Sequence, residues 1–484
     1  MKILLVASEV VPFAKTGGLA DVAGSLPHAV AELGHEVRVL MPLYRIVRQR
    51  ATHLQPLAAE VSVAMAGRVY TGRIWQGELE GLPVYFLDAP EFFDRHGLYG
   101  NEHGDYADNA LRFGFLCRAA LAALKVLDYQ PEVLHLNDWQ TGLIPVLLRT
   151  ELAEDPFYRG MATLLTIHNL GYQGLFPPAA LAELGLDPAL FSMHAMEYYG
   201  KISFLKGGIV FADLVSTVSE TYCQEIQTPA HGHGFDGILR QRAGHLLGIV
   251  NGIDTRLWDP GHDSVLPAHY TATDPTGKGS NKRALQRGLG LTCDPDVPIL
   301  AMVTRLATQK GLDLLEAAWS GLLDRHLQFV LLGSGEKIHE EFFTGQRGRH
   351  PGRVAICLGF DDALSRHIYA GSDLFLMPSH YEPCGLGQLI ALRYGTIPVV
   401  RRTGGLADTV HDPLDNGEQA NGFCFREPTG QALLAALDRA LAHFGDTSAW
   451  RQMVRRAMSQ DFSWRQSARR YLEVYQLARQ VRNG

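Results

Sequence analysis

Short aliphatic runs, each followed by a helical pattern, constrain this chain more than any other feature. The run KILLVASEV (2–10) shows no polar–apolar alternation. A strand there is covered on both faces, as in a parallel sheet. Leu19, Val22, Ala23, Leu26, Ala29, Val30 and Leu33 follow at helical spacing, Gly34 stops the helix, and EVRVLMP (36–42) reads as the next strand. Two parallel strands joined by a helix start a sheet at once. Similar runs are VLHLND (133–138), TLLTIH (163–168) and LVSTVS (214–219). The stretch 60–87 alternates instead, carries Gly72, Gly77 and Gly81, and reads as an inserted antiparallel hairpin. The rhythm lapses over 251–296, where NGIDTRLWDP and TATDPTGKGS are rich in turn residues. It resumes with ILAMVTR (299–305), QFVLLG (328–333), RVAICLG (353–359), DLFLMP (373–378) and IPVVR (397–401), and from Gly430 the pattern is helical. A chain of 484 residues is too long for one ordinary core. The expectation is two doubly wound α/β domains, 1–250 and 251–460, followed by a terminal helical segment, 461–484.

Composition narrows the function. A net charge of −7 argues against a general nucleic-acid binder. The six cysteines are widely spaced and form no CxxC pair, which favours a reducing compartment, the cytoplasm, and no structural zinc. The apolar run after Lys2 is too short for a signal peptide. No window of about 18 apolar residues exists, so no membrane span is expected.

One phrase occurs twice: KTGGLADV from Lys15 and RTGGLADTV from Arg402. Each follows a buried strand and opens a helix, where glycines let backbone N–H groups approach an anion. Ligands of open α/β sheets bind beyond the carboxyl ends of the strands. The residues there are Lys15, Asp138, His168 and Asn169 in the first half. In the second they are Arg305, Lys310, Gly333 with Ser334 and Gly335, and Glu382. The set is rich in cations suited to a departing diphosphate. No serine nucleophile elbow, no GxxxxGKS loop and no metal-ligand spacing occurs. Both glycine phrases depart from GxGxxG, and no acid closes EVRVLMP, which disfavours hydride transfer. The residues alone point to an enzyme handling a phosphate-bearing ligand.

The motifs SEVVPFAKTGGLADV, GLYG, HLNDWQTGLIP, LTIHNLGYQGLF, STVSETYCQEIQT, GIVNGID, TRLATQKGLDLL, HYEPCGLGQL and RYGTIPVVRRTGGLADTV run nearly end to end. In their order and spacing the chain resembles bacterial glycogen synthases and plant starch synthases. These are retaining glycosyltransferases with two Rossmann-like domains facing a deep cleft (GT-B), a terminal helix crossing back to the first domain. The resemblance implies glucose transfer from ADP-glucose to the non-reducing end of an α-1,4-glucan, with no cofactor and no metal.

It also implies roles. Lys15 and Gly18 would meet the donor diphosphate and sugar, and Arg305 and Lys310 would grip the phosphates. His168 would bond the glucose through backbone or ring, with Asn169 and Asn251 helping. Asp138 would lie near the acceptor, and Tyr99 near sugar and acceptor. Glu382 would hold glucose hydroxyls, the amides of Gly385, Leu386 and Gly387 would cap the phosphates, and Phe360 would pack near adenine. Cys384 would be a cleft wall, its thiolate favoured by the neighbouring helix start and cations. The second glycine phrase would lie at the rim of the same ligand space. Two positions depart from the pattern: Gly387 stands where relatives often carry a larger residue, and Ile390 where many GT-B enzymes carry a second Glu. The alternatives are a UDP-glucose enzyme, a pyridoxal-phosphate phosphorylase of similar shape, and a non-catalytic glucan-binding scaffold.

Overall fold

The first strand, β1 (Lys2–Val6), lies in the interior of a nine-stranded sheet. The computed structural model describes residues 1–51, 53–415 and 417–484. The other strands of this sheet are β2 (Glu36–Pro42), β3 (Gln55–Met65), β4 (Arg68–Leu79), β5 (Leu82–Asp88), β6 (Val133–Asn137), β7 (Ala162–Ile167), β8 (Leu214–Thr217) and β9 (Leu246–Gly248). Their order is β9-β8-β7-β6-β1-β2-β5-β4-β3. β1 pairs in parallel with both neighbours, so that Val6 faces Leu40 on one side and Leu136 on the other. Four of the five β1 side chains are buried, which explains its unbroken aliphatic sequence. The alternating stretch forms more than a hairpin. β3 and β4 pair antiparallel, β4 pairs antiparallel with β5, and β5 joins β2 in parallel. It is therefore a meander that extends the main sheet at its edge.

The second sheet contains β10 (Ile299–Val303), β11 (Gln328–Gly333), β12 (Val354–Leu358), β13 (Leu374–Met377), β14 (Ile397–Arg401) and β15 (Phe423–Phe425), in the order β12-β11-β10-β13-β14-β15 and all parallel. Leu300, Phe329, Leu374 and Val399 are buried in its core.

The two sheets share one design. The chain runs outward from β1 through β2, then returns to the other side of β1 as β6. In the second sheet it runs from β10 through β11 to β12, then returns beside β10 as β13. The switch points are thus β1/β6 and β10/β13, and the crevice beyond such a point is where doubly wound folds bind ligands. Four helices start near these points: α1 (Gly18–Glu32), α2 (Leu312–Ala317), α3 (Gly387–Arg393) and α4 (Gly404–Thr409).

The described chain divides into two compact units. The first holds Met1–Val218, Cys223–Ile249 and Trp464–Gly484; the second holds Ser219–Tyr222 and Val250–Ser463. The last helix, α5 (Trp464–Asn483), therefore belongs to the first unit, where Trp464, Ala468, Tyr471 and Tyr475 pack with Ile3, Val22 and Leu26.

Candidate active site

At the first switch point the chain leaves β1 as Ala7-Ser8-Glu9 and turns back towards Lys15. Glu9 is buried and organises the turn. Its carboxylate accepts from the amides of Thr16 and Gly17 and from the Thr16 hydroxyl at 2.6 Å. The Tyr99 hydroxyl donates to it at 2.6 Å and lies 2.7 Å from Ser8 Oγ. Burial holds the Tyr99 phenol above its ordinary value. Tyr99 thus contributes by supporting Glu9. Lys15 is exposed and paired with Asp21 at 2.7 Å, and burial raises the Asp21 pKa in spite of that lysine. Gly17 and Gly18 are exposed, and a methyl group built on either meets no atom within 4 Å. This glycine turn opens onto free space at the start of α1.

Across the switch point, Asp138 follows β6 with a left-handed φ of 56°. Such strain in a non-glycine residue persists only where surroundings enforce it. Here the enforcing contact is the Asp138 carboxylate, which accepts from the His168 amide at 2.7 Å and from the Asn169 amide. It caps no helix: the short turn after it receives no side-chain bond. Burial pushes the carboxyl up to about 7, against the pull of those two amides. His168 is buried, and burial lowers its imidazole to about 3. Its Nε2 lies 2.9 Å from Asn137 Oδ1, while the Asn137 amide donates to the Val6 carbonyl. That leaves Asn137 Oδ1 as an acceptor, so His168 carries its proton on Nε2 and keeps Nδ1 as an acceptor. A neutral His168 can receive a hydroxyl hydrogen bond but has no spare proton to give. Asn169 turns its side chain back to accept from the Gly171 amide at 2.9 Å.

At the second switch point Arg305 follows β10, exposed and without an ion-pair partner among the described residues. Lys310 Nζ meets Glu382 Oε2 at 2.7 Å, and Ser379 Oγ reaches the same oxygen at 3.0 Å. Glu382 is buried. A cation and a carboxylate are thus held side by side. Gly333 ends β11 against the Thr304 carbonyl, where a side chain has no room. Phe360 is 88% exposed, the most exposed large apolar side chain among those described. Gly385, at φ 77°, leads through Leu386 into α3. The buried Gln388 ties this turn down by donating to the carbonyls of Cys384 and Gly385. A Cβ on Gly387 would lie 3.0 Å from the Phe375 ring, so a larger residue there requires that ring to shift. Ile390 is buried in the core, and Asn251 is buried with its Oδ1 unpaired.

Two expectations are corrected here. The thiolate expected at Cys384 is not favoured: the side chain is 5% exposed, and burial pushes the thiol up to about 12, with Glu382 and Asp408 acting the same way. The helix start it precedes does not compensate for the lost water. The second glycine phrase likewise offers no anion-binding turn. Gly404 and Gly405 are buried; a Cβ on Gly404 would fall on the Glu382 carbonyl, and one on Gly405 on the Cys384 backbone. The Gly405 amide is already engaged by the carbonyls of Glu382 and Pro383, at 3.1 and 3.2 Å. These glycines form the floor under the loop that carries Glu382.

Comparison with known proteins accounts for both units. Residues 2–241 match the family model "Starch synthase catalytic domain", and residues 291–456 match "Glycosyl transferases group 1". A glycogen synthase of Syntrophotalea carbinolica is 62% identical over 478 residues, 99% of each chain. The chain belongs to the glycogen and starch synthase family. Glycogen synthase 2 of Geobacter sulfurreducens is 49% identical over the full length of both chains. The catalytic domain of starch synthase IV from Arabidopsis thaliana, solved with ADP and acarbose, is 37% identical, with a TM-score of 0.91 and 99% of each chain covered. Membership makes this a hexosyltransferase of two α/β units.

Among the described residues no group of histidine, cysteine and carboxylate side chains could hold a metal, and no helix is long and apolar enough to cross a membrane. Sequence reasoning missed Glu9. Its signal was an acid just past a strand covered on both faces, a place that demands several donors.

Proposed function

We propose that the chain transfers glucose from ADP-glucose to the non-reducing end of an α-1,4-glucan, with retention, in the cytoplasm. The observation that carries this reading is the second switch point, which bears an exposed Arg305, without an ion-pair partner among the described residues, and a Lys310–Glu382 pair. The ADP and acarbose of the starch synthase IV structure support it, because one is the product nucleotide of such a donor and the other resembles a glucan.

The donor bond between the glucosyl C1 and the phosphate oxygen breaks, and its electron pair leaves with ADP. The acceptor 4-hydroxyl attacks C1 on the same face and passes its proton to the departing phosphate oxygen. Negative charge grows on the diphosphate as the bond breaks, so Arg305 and Lys310 stabilise the transition state more than the bound donor. Glu382 holds glucose hydroxyls, and neutral His168 accepts a hydroxyl hydrogen bond at Nδ1. Lys15 and the open space at Gly17 and Gly18 serve the donor. Phe360 presents an aromatic face to adenine, and the Gly385–Gly387 amides reach phosphate oxygens.

The test is ADP or UDP release with glycogen as acceptor, run with ADP-glucose and with UDP-glucose. Turnover with ADP-glucose at least tenfold faster is expected. Equal turnover, or a preference for UDP-glucose, overturns the donor assignment, and no turnover with either overturns the reaction. In the same assay Lys310→Ala and Arg305→Ala should each lower kcat by roughly 10²–10³, the scale of one preorganised stabiliser. A kcat within a factor of two of the parent removes that residue from the mechanism.

A further inference from the structure

Lys310 and Glu382 neutralise one another at 2.7 Å. A donor phosphate competes with Glu382 for the Lys310 ammonium, so this contact weakens when the donor arrives. Something else must then keep the Lys310 turn in register with the Glu382 loop.

The Glu382 loop is held from its own side of the sheet. Arg401 donates to the carbonyls of Ser379 and His380, at 3.2 and 2.5 Å, and the Gly405 amide donates to the Glu382 carbonyl. The Lys310 turn is anchored elsewhere: the Thr308 amide and hydroxyl donate to Glu336 at 3.3 and 3.1 Å. Besides the Lys310–Glu382 pair, two kinds of contact link the turn to the Glu382 loop. Gln309 exchanges hydrogen bonds with the loop backbone: its carbonyl accepts from the His380 amide at 2.9 Å, and its side-chain amide donates to the Tyr381 carbonyl at 3.2 Å. Asp313, in the first turn of α2, meets His380 Nε2 with both carboxylate oxygens, at 2.8 and 2.9 Å. Both side chains are part-exposed.

We propose that Asp313 and His380 are a positioning pair, which holds Lys310 at its phosphate-binding place once the donor has weakened the Lys310–Glu382 contact. The pair touches neither donor nor acceptor. It acts through Lys310 alone, because the Glu382 loop has its own anchorage. This inference rests on the donor role proposed above for Lys310. A small displacement of a group that stabilises developing charge costs far more rate than ground-state binding. Losing the pair therefore lowers kcat more than it raises the KM for ADP-glucose.

The experiment is a mutant cycle in the full chain, with ADP-glucose and glycogen, reading kcat, KM and Tm. Asp313→Ala should lower kcat roughly tenfold with less than a threefold change in KM. Asp313→Asn keeps an acceptor oxygen for His380 and should recover most of the rate. In a Lys310→Ala background, Asp313→Ala should cost less than twofold more, since nothing remains to position. A purely structural role would repeat its loss in that background. That repeat, or a parental kcat in Asp313→Ala, overturns the proposal. If Asp313→Ala fails to fold, His380→Ala reads the pair from its other side by the same criteria. The two readings fail differently. A parental kcat in Lys310→Ala overturns the donor role, and the pair's role with it. A large loss in Lys310→Ala beside none in Asp313→Ala overturns the pair alone.

Discussion

The phrases KTGGLADV and RTGGLADTV are almost one sequence, each follows a parallel strand, β1 in one unit and β14 in the other, and each opens a helix, yet they do opposite things. Around Gly17 and Gly18 there is open space, and the absent side chains leave room for a ligand. Around Gly404 and Gly405 there is backbone, and the absent side chains leave room for the protein itself. The first turn is fastened by a carboxylate, Glu9; the second by the carbonyls of Glu382 and Pro383. A glycine pair specifies closeness, and only the tertiary neighbours decide what comes close.

The largest effect that tests this contrast is expected at Gly405. Gly405→Ala drives a Cβ into the Cys384 backbone, which has no rotamer to move away. Overpacking of this kind costs about 1–3 kcal/mol, or roughly 5 °C in Tm, and should lower kcat by displacing Glu382. A Tm within 1 °C of the parent, read by calorimetry, would erase the distinction between the two turns.

The next effect belongs to the first unit, where a buried carboxyl faces Glu9 across the switch point. Asp138 holds its proton to about pH 7 in the fold, against an ordinary value of 3.8. Its contribution to stability is complete below about 3.8 and is lost as pH rises through 7. His168 works in the opposite sense: held down to about 3 from 6.5, it stabilises above 6.5 and loses that contribution as pH falls through 3. The difference between Asp138→Asn and the parent isolates the first term. Urea midpoints from pH 4.5 to 8 should fall with pH more steeply in the parent than in the variant. Parallel curves would mean that Asp138 is ionised across that range.

A smaller effect is expected at Gly18. Gly18→Ala has room, so Tm should move by less than about 1 °C, while the KM for ADP-glucose rises about fivefold, the scale of one lost hydrogen bond. An unchanged KM would leave this turn without a ligand. The smallest effect is a near absence of reaction. In the folded protein a thiol reagent at pH 7.5 should label exposed Cys293 and spare Cys384, whose thiol sits near 12. Gly405→Ala should speed Cys384 labelling by lifting the loop off its floor. Fast labelling of Cys384 in the parent would place it in open solvent.

The strands were legible because parallel strands buried on both faces leave continuous aliphatic sequence, as in β1, β7 and β11. The meander of β3, β4 and β5 was only half legible: alternation marks β4, but nothing local says that β5 turns to join β2. The sequence neighbours of Cys384 suggested an activated thiol because helix start and cations are readable along the chain, whereas burial is not. Glu9 was hidden for the converse reason. Its partners at residues 16, 17 and 99 converge only in three dimensions.

The placement of α5 bears on how the polypeptide is made. Residues 464–483 supply Trp464, Tyr471 and Tyr475 to a cluster that also holds Ile3, Val22 and Leu26, and the Tyr475 hydroxyl bonds His135 Nδ1 at 2.8 Å. The strands of the first unit therefore wait for a helix translated after the whole second unit. While the second unit emerges from the ribosome and gathers its own core, the first stands with an apolar flank uncovered, a surface on which nascent chains aggregate or recruit chaperones. Its completion waits until residues 464–483 have left the ribosome.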